Sequence, residues 1–232
     1  DLHTAYRRQR QMCIRDRIEG GFSPGFFHSR IGLVTKYLSE NWFKCVKEVA
    51  RYSKKKNVPF YLYDEDRWPS GFAGGKVNRK KKNWAMCIII SKKGNKWKYE
   101  IDYGAKSEWF NGYPYTSLMR KEPVKDFINS TYETYKKSVG KYFSSVIPAI
   151  FTDEPNYFHP RVVKKKGTVV LPWVENFEKI FKKKYGYDIL EKIEYLVEER
   201  NGFEKVRYDF YRLLTELFVE NFSKQIGKWC EE

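Results

Sequence analysis

Two nearly unbroken apolar runs, each ending abruptly in acidic residues, constrain this chain more than any other feature. Val58 to Tyr63 runs into Asp64-Glu65-Asp66, and Val146 to Phe151 runs into Thr152-Asp153-Glu154-Pro155. A short run without polar alternation is the pattern of a strand covered on both faces, as parallel strands are. Pro59 is compatible with this because it sits near the start of its run, where no ladder N–H is missed. Gly25-Phe26-Phe27-His28-Ser29-Arg30 reads as a third, shorter strand that also ends in polar groups.

Helical patterns separate these runs. Ser39 is placed as an N-cap, with Leu38 and Phe43 at staple positions. Phe43, Val46 and Ala50 then follow on one face, and Asn57 ends the helix. Pro123 fits a first helical position. It precedes a stripe of Val124, Phe127, Ile128, Thr131, Tyr135 and Val139, closed by Gly140. Pro172 is read in the same way, opening a helix with Trp173, Phe177, Ile180 and Phe181 on one face and Gly186 as its stop. Ile189, Ile193, Leu196 and Val197 predict a further helix, and a last one starts near Glu204. Residues 84–103 differ: two β-rich stretches flank Lys93-Gly94-Asn95, the pattern of a hairpin.

Alternating strands and helices predict an α/β fold with a parallel sheet. Three or four strands of barrel type are legible, whereas a (β/α)₈ barrel has eight in about 250 residues. The expectation is an incomplete (β/α)₈ TIM-type barrel over residues 18–232, truncated at its C-terminal side, with a β-rich insertion at about 84–113. Residues 1–17 are set apart as a non-native or disordered arm. They carry five Arg and no apolar periodicity, and Gln11 to Arg17 resembles translated adapter sequence of the kind found in metagenomic assemblies. With the native start in doubt, localisation is left open.

The formal net charge of +16 raises the alternative of a basic nucleic-acid-binding protein. The basic residues are scattered, however, in runs such as 54–56, 79–82, 164–166 and 182–184, several of them at helix ends where cations favour the dipole. No nucleic-acid partner is therefore expected. No apolar run approaches the ~20 residues of a membrane span. Cys13, Cys45, Cys87 and Cys230 have neither metal-site nor disulfide-framework spacing.

In a parallel barrel the carboxyl ends of the strands converge on one face, where active sites are built. That logic gathers His28 and Arg30, Asp64, Glu65 and Asp66, and Asp153 and Glu154. Paired carboxyl groups are the chemistry of glycoside hydrolysis, in which one group must be held protonated to donate to the leaving oxygen. Adjacent strand residues point to opposite faces, so one of Asp153 and Glu154 should face the site. Glu154 has the longer reach and is the expected general acid, with Asp153 contacting the sugar. Aromatic side chains suit the apolar faces of sugar rings, which adds Trp68 and Tyr157, with His159 nearby.

The stretches Gly25 to Arg30, Tyr37-Leu38-Ser39-Glu40 and Tyr63-Asp64-Glu65-Asp66-Arg67-Trp68-Pro69-Ser70-Gly71 resemble the start of α-L-rhamnosidase-like glycoside hydrolases, family 106 and unclassified relatives. Phe151 to Pro155 and Lys184-Tyr185-Gly186-Tyr187-Asp188 are similar as well, so the likeness spans about residues 20–232. It implies a (β/α)₈ catalytic domain followed by β-sandwich modules, and cleavage of a terminal rhamnoside or similar sugar. It further implies an acid at a position like Glu154 and a partner carboxylate on a later strand, so that the chain alone is expected to be inactive. The residues call for no cofactor; the resemblance alone allows calcium, with no ligands assigned. A non-catalytic carbohydrate-binding relative is the other alternative.

Overall fold

The computed structural model describes residues 16, 19–21, 25–29, 32–157 and 167–232. It mixes helices with two three-stranded sheets, and no closed barrel is found among the described residues. The chain divides into two compact units, one made of residues 1–74 and 129–154, the other of 75–128 and 155–232.

The first unit contains a parallel sheet of β1 (Phe26–Phe27), β2 (Tyr61–Tyr63) and β5 (Ile150–Phe151), in that order. Phe26 pairs with Tyr61, Leu62 with Ile150, and Tyr63 with Phe151. Each strand is shorter than its apolar run. Phe60 still donates to the Val146 carbonyl at 2.8 Å, so the ladder starts before the regular strands do. Helix α1 (Glu40–Lys56) connects β1 to β2. The Ser39 side chain caps it by accepting from the Trp42 N–H at 3.2 Å, and Asn57 ends it in the left-handed conformation, φ 55°. Its buried face is Trp42, Val46, Val49, Ala50 and Ser53, with Phe27 edge-on to Trp42 at 4.9 Å. Phe43, expected on that face, is only half-buried and meets Tyr135 at 5.5 Å.

The stripe expected across 124–139 forms two helices, α2 (Lys121–Ser130) and α3 (Tyr132–Val139). Thr131, at φ −113° and ψ −71°, interrupts them. Pro123 sits third in α2 rather than first. Gly140 remains right-handed, and a 3₁₀ turn follows it over 140–142.

In the second unit β3 (Met86–Lys93) and β4 (Lys96–Tyr103) form the hairpin anticipated around Gly94. A strand absent from the sequence expectation joins them. Thr168–Trp173, here β6, pairs antiparallel with β3, so Pro172 lies in a strand and does not open a helix. The order β4-β3-β6 makes β6 an edge, and an edge strand can carry a residue that lacks an N–H. The helix begins instead at Phe177, as α4 (Phe177–Tyr185), and ends at Gly186, φ 80°. Residues 190–196 form a 3₁₀ helix rather than an α-helix. Helix α5 (Phe203–Phe218) leads through a π turn into α6 (Lys224–Glu231). Trp173, Phe177, Phe181 and Phe210 are packed into the buried core of this unit with Ile88 and Ile90.

Candidate functional site

The polar segments that follow β1, β2 and β5 lie at the same end of one parallel sheet, because the three strands run in one direction side by side. Residue parity then sorts their side chains. Phe26, Tyr61, Tyr63 and Phe151 share one face: Phe26 lies 5.1 Å from Tyr61 and 5.2 Å from Phe151, and Tyr63 stacks on Phe151 at 6.0 Å. His28 and Asp153, two residues beyond Phe26 and Phe151, continue this face. The His28 ring lies over Tyr63 at 3.6 Å, and the Tyr63 hydroxyl donates to Asp153 Oδ2 at 2.6 Å. Burial and the Asp153 carboxylate hold the Tyr63 hydroxyl well above its ordinary pKa, so it stays a donor at neutral pH.

Asp64 has the opposite parity and points toward α3. It is fully buried, accepting from Ser70 Oγ at 2.5 Å and from the Tyr132 hydroxyl at 2.7 Å. Burial pushes its carboxyl up to about 6, against the opposing effect of these two hydroxyls. Ser70 ties the second strand end to the third. Its Oγ accepts from the Asp153 N–H at 2.8 Å, and its own N–H donates to the Asp153 carbonyl at 2.8 Å.

Glu65 is also fully buried, and five backbone N–H groups converge on it. Oε2 accepts from Gly71, Phe72 and Ala73 at 3.1, 2.8 and 2.7 Å, and Oε1 accepts from Asp66 and Gly74 at 3.0 and 2.6 Å. The loop after Trp68 is thus wrapped around one carboxyl group. Gly74 closes the wrap at φ +57°, where an added Cβ would meet the Tyr37 ring at 3.1 Å. The Glu65 carbonyl accepts from Ser29 Oγ at 2.7 Å, tying the first strand end in as well. Burial raises the Glu65 carboxyl, with the Asp66 carboxylate adding to the effect and the N–H groups opposing it. Asp66 is raised by burial too, while Arg67 holds its Oδ2 through Nε at 3.2 Å and Nη2 at 2.9 Å.

Asp64 and Glu65, expected as substrate contacts, therefore organise the strand ends from inside the fold. The groups left for a ligand are Asp153, half-buried, with Glu154 and Trp68, both exposed. Glu154 has φ 39°, a left-handed backbone that costs a non-glycine residue about 1–3 kcal/mol and recurs at functional positions. It has no hydrogen-bond partner among the described residues. Tyr157 belongs to the second unit, where its ring lies edge-on to Phe218 at 5.8 Å. Arg30 and His159 lie outside the described residues.

The sequence reading missed Ser70, Tyr63 and Tyr132 as the groups that fix the acidic residues. The signal available was the glycine-containing run Ser70 to Gly74, whose consecutive N–H groups can form an anion nest. No cluster of three or more His, Cys, Asp or Glu suited to a metal occurs among the described residues. Nor is any helix among them long and apolar enough to cross a membrane. No protein-family model, curated protein or solved structure matches the chain.

Proposed function

We propose that the first unit is part of a (β/α)-barrel glycoside hydrolase whose strand-end cluster binds a terminal sugar, a rhamnoside or similar. The observation that carries this is the grouping of Asp153, His28 and the strained, exposed Glu154 at the carboxyl ends of three sequentially ordered parallel strands. Connections through α1 and α3 give the β-α-β order with which such barrels are built. The aromatic face of the sheet adds support. Parallel sheets are ordinarily covered on both sides, yet Phe26 and Phe151 are 53% and 43% exposed on the face that a barrel turns inward.

In this proposal Glu154 donates a proton to the leaving oxygen, and Asp153, oriented by Tyr63 and Ser70, accepts hydrogen bonds from sugar hydroxyls. Trp68, 41% exposed, offers its ring to an apolar sugar face. Cleavage requires a second carboxyl group across the scissile bond, and the buried Asp64 and Glu65 do not serve. The property to test on this chain is therefore binding. Titration with L-rhamnose, monitored by tryptophan fluorescence, should saturate, and both Trp68→Ala and Asp153→Asn should abolish the response. A flat titration up to the solubility of the sugar, or saturation unaffected by both substitutions, would overturn the proposal. Unaltered turnover in a Glu154→Gln variant of a rhamnoside-cleaving form of the protein would remove Glu154 from the acid role.

A further inference from the structure

The sheet of the second unit has two edges, and they differ. β3 and β4 are joined by the two-residue turn Gly94-Asn95, which makes Lys93 and Lys96 a hydrogen-bonded pair. Bonded pairs recur at every second position from there, and the Gly104 N–H, donating to the Ala85 carbonyl at 2.9 Å, keeps that phase at the far end. Lys96, Lys98, Glu100 and Asp102 therefore direct their backbone groups to β3. Trp97, Tyr99 and Ile101 turn theirs outward, along an edge that no other strand covers among the described residues. At the opposite edge Pro172 pairs with Cys87, a position whose backbone groups face away from β3, and proline has no N–H to offer there. The β6 edge is thus blunted, and the β4 edge is open.

We propose that the open edge pairs with the same edge of a second copy of this chain, β4 against β4, antiparallel about a twofold axis at Tyr99. The order of side chains along the strand carries the inference. Lys96, Lys98, Glu100 and Asp102 alternate with Trp97, Tyr99 and Ile101, so one face of β4 is charged and exposed and the other is apolar. With Tyr99 opposite its own copy, Lys96 meets Asp102, Lys98 meets Glu100, and Trp97 meets Ile101. Every charge on the strand then faces its opposite, the favourable case for cross-strand pairs. Other registers fail. An axis at Lys98 or Glu100 sets that charge against itself, one at Trp97 sets Lys96 against Lys98, and one at Ile101 sets Glu100 against Asp102. An axis between residues turns the charged face of one copy to the apolar face of the other. The strand is neutral in a chain of net charge +16, so copies meet where local charge does not oppose them. On the apolar face the contact covers Tyr99 and Ile101, which are 46% and 39% exposed. Each facing pair of outward-turned residues exchanges two N–H···O bonds, which satisfies the edge. The contact is isologous and leaves only the blunted β6 edges, so assembly stops at a dimer.

The β4 edge shares no residue with the strand-end cluster, so this proposal and the sugar-cleaving one fail separately. Sedimentation equilibrium of the 232-residue chain is measured from about 10 µM to about 1 mM, in about 0.15 M salt. The average mass should rise from monomer toward dimer and no further. Lys96→Glu/Lys98→Glu and Glu100→Lys/Asp102→Lys each set like charges against one another across the axis, and each should weaken self-association about tenfold or more. Mixed in equal amounts, the two variants carry opposite charges at every facing position and should associate within about threefold of the parent. That recovery shows that both variants are folded. The register is read by crosslinking in a Cys13→Ser/Cys230→Ser background, since Cys230 is exposed. Tyr99→Cys should give a disulfide-linked dimer under mild oxidation, because the Cα atoms of a bonded pair lie about 5.5 Å apart, whereas Ile101→Cys should not. A monomer throughout the range, growth beyond the dimer, undiminished association of either charge variant alone, no recovery on mixing, or crosslinking at position 99 no greater than at 101 would each overturn the proposal.

Discussion

Replacing Glu65 by Gln tests whether the buried carboxylate is what holds the loop after Trp68. The substitution keeps shape and volume and exchanges one acceptor oxygen for an amide. In the better orientation the amide oxygen takes the Oε2 position and keeps the N–H groups of Gly71, Phe72 and Ala73. The NH₂ group then faces the N–H groups of Asp66 and Gly74, two donors that have lost their acceptor. A donor left unpaired inside a fold costs about 1–3 kcal/mol, so the expected loss is ~2–6 kcal/mol. The other orientation strands three donors and is worse. Because Ser70 links this loop to Asp64 and Asp153, the loss should extend to the strand ends. Native-state hydrogen exchange resolves the effect: amides of residues 71–74 should exchange faster by at least tenfold, as should those of β2. Amides in β3 and α5 report on the second unit separately. If Glu65→Gln exchanges like the parent at residues 71–74 and melts at the same temperature, the carboxylate is not the organising charge of the loop.

Three further outcomes follow from the same structure. Asp64 has a folded-state pKa raised from 3.8 to about 6, so its contribution to stability is fully present below about pH 4 and is lost as pH rises through 6. At 1.36 kcal/mol per pH unit this is about 3 kcal/mol, and urea unfolding of an Asp64→Asn variant should lack that part of the slope between pH 4 and 7. Tyr63→Phe removes the hydroxyl that orients Asp153 but leaves the ring against His28 and Phe151; it should weaken sugar binding while costing no more than about 1.5 kcal/mol of stability, read by titration and by urea melts. Phe210→Ala empties the centre of the second core and should cost about 3–5 kcal/mol, seen as an earlier urea transition of β3 and α5.

The parts of this structure that are legible in the sequence are those where one local rule acts alone. Ser39 caps and Asn57 terminates α1 because a hydroxyl at the N-cap and a left-handed Asn satisfy helix ends without help from elsewhere. The hairpin at Gly94 follows from two β-rich stretches around a turn. Pro172 misleads because proline suits both a first helical turn and an edge strand, and only the pairing of Leu171 with Ile88 and Val170 with Ile89 decides between them. That partner lies some 80 residues away in the chain, beyond the reach of any local pattern.

The candidate site divides in the same way. Its three strand ends are legible because an apolar run that stops on a charge marks the point where a buried strand leaves the interior. The division of labour among their acids is not, although half of it is countable. Tyr63 and Phe151 are register partners, so Asp153, two residues on, shares the aromatic face, while Asp64, one residue on, turns toward α3. Side-chain reach favours Glu154 over Asp153, but reach is secondary to parity as long as the backbone stays extended. At Glu154 it does not stay extended: φ 39° takes that residue out of the strand alternation altogether. Two adjacent carboxyl groups, one held by the Tyr63 hydroxyl on a backbone pinned by Ser70 and the other presented on a strained backbone, are thereby placed in different surroundings. Pushing apart the environments of neighbouring acids is how a site assigns them different roles. On this geometry Asp153 is the better-positioned group of the two and Glu154 the more accessible. Asp153→Asn should therefore raise the apparent dissociation constant for the sugar, whereas Glu154→Gln should leave binding nearly intact; the reverse pattern would mean that the fixed carboxylate is not the one that meets the substrate.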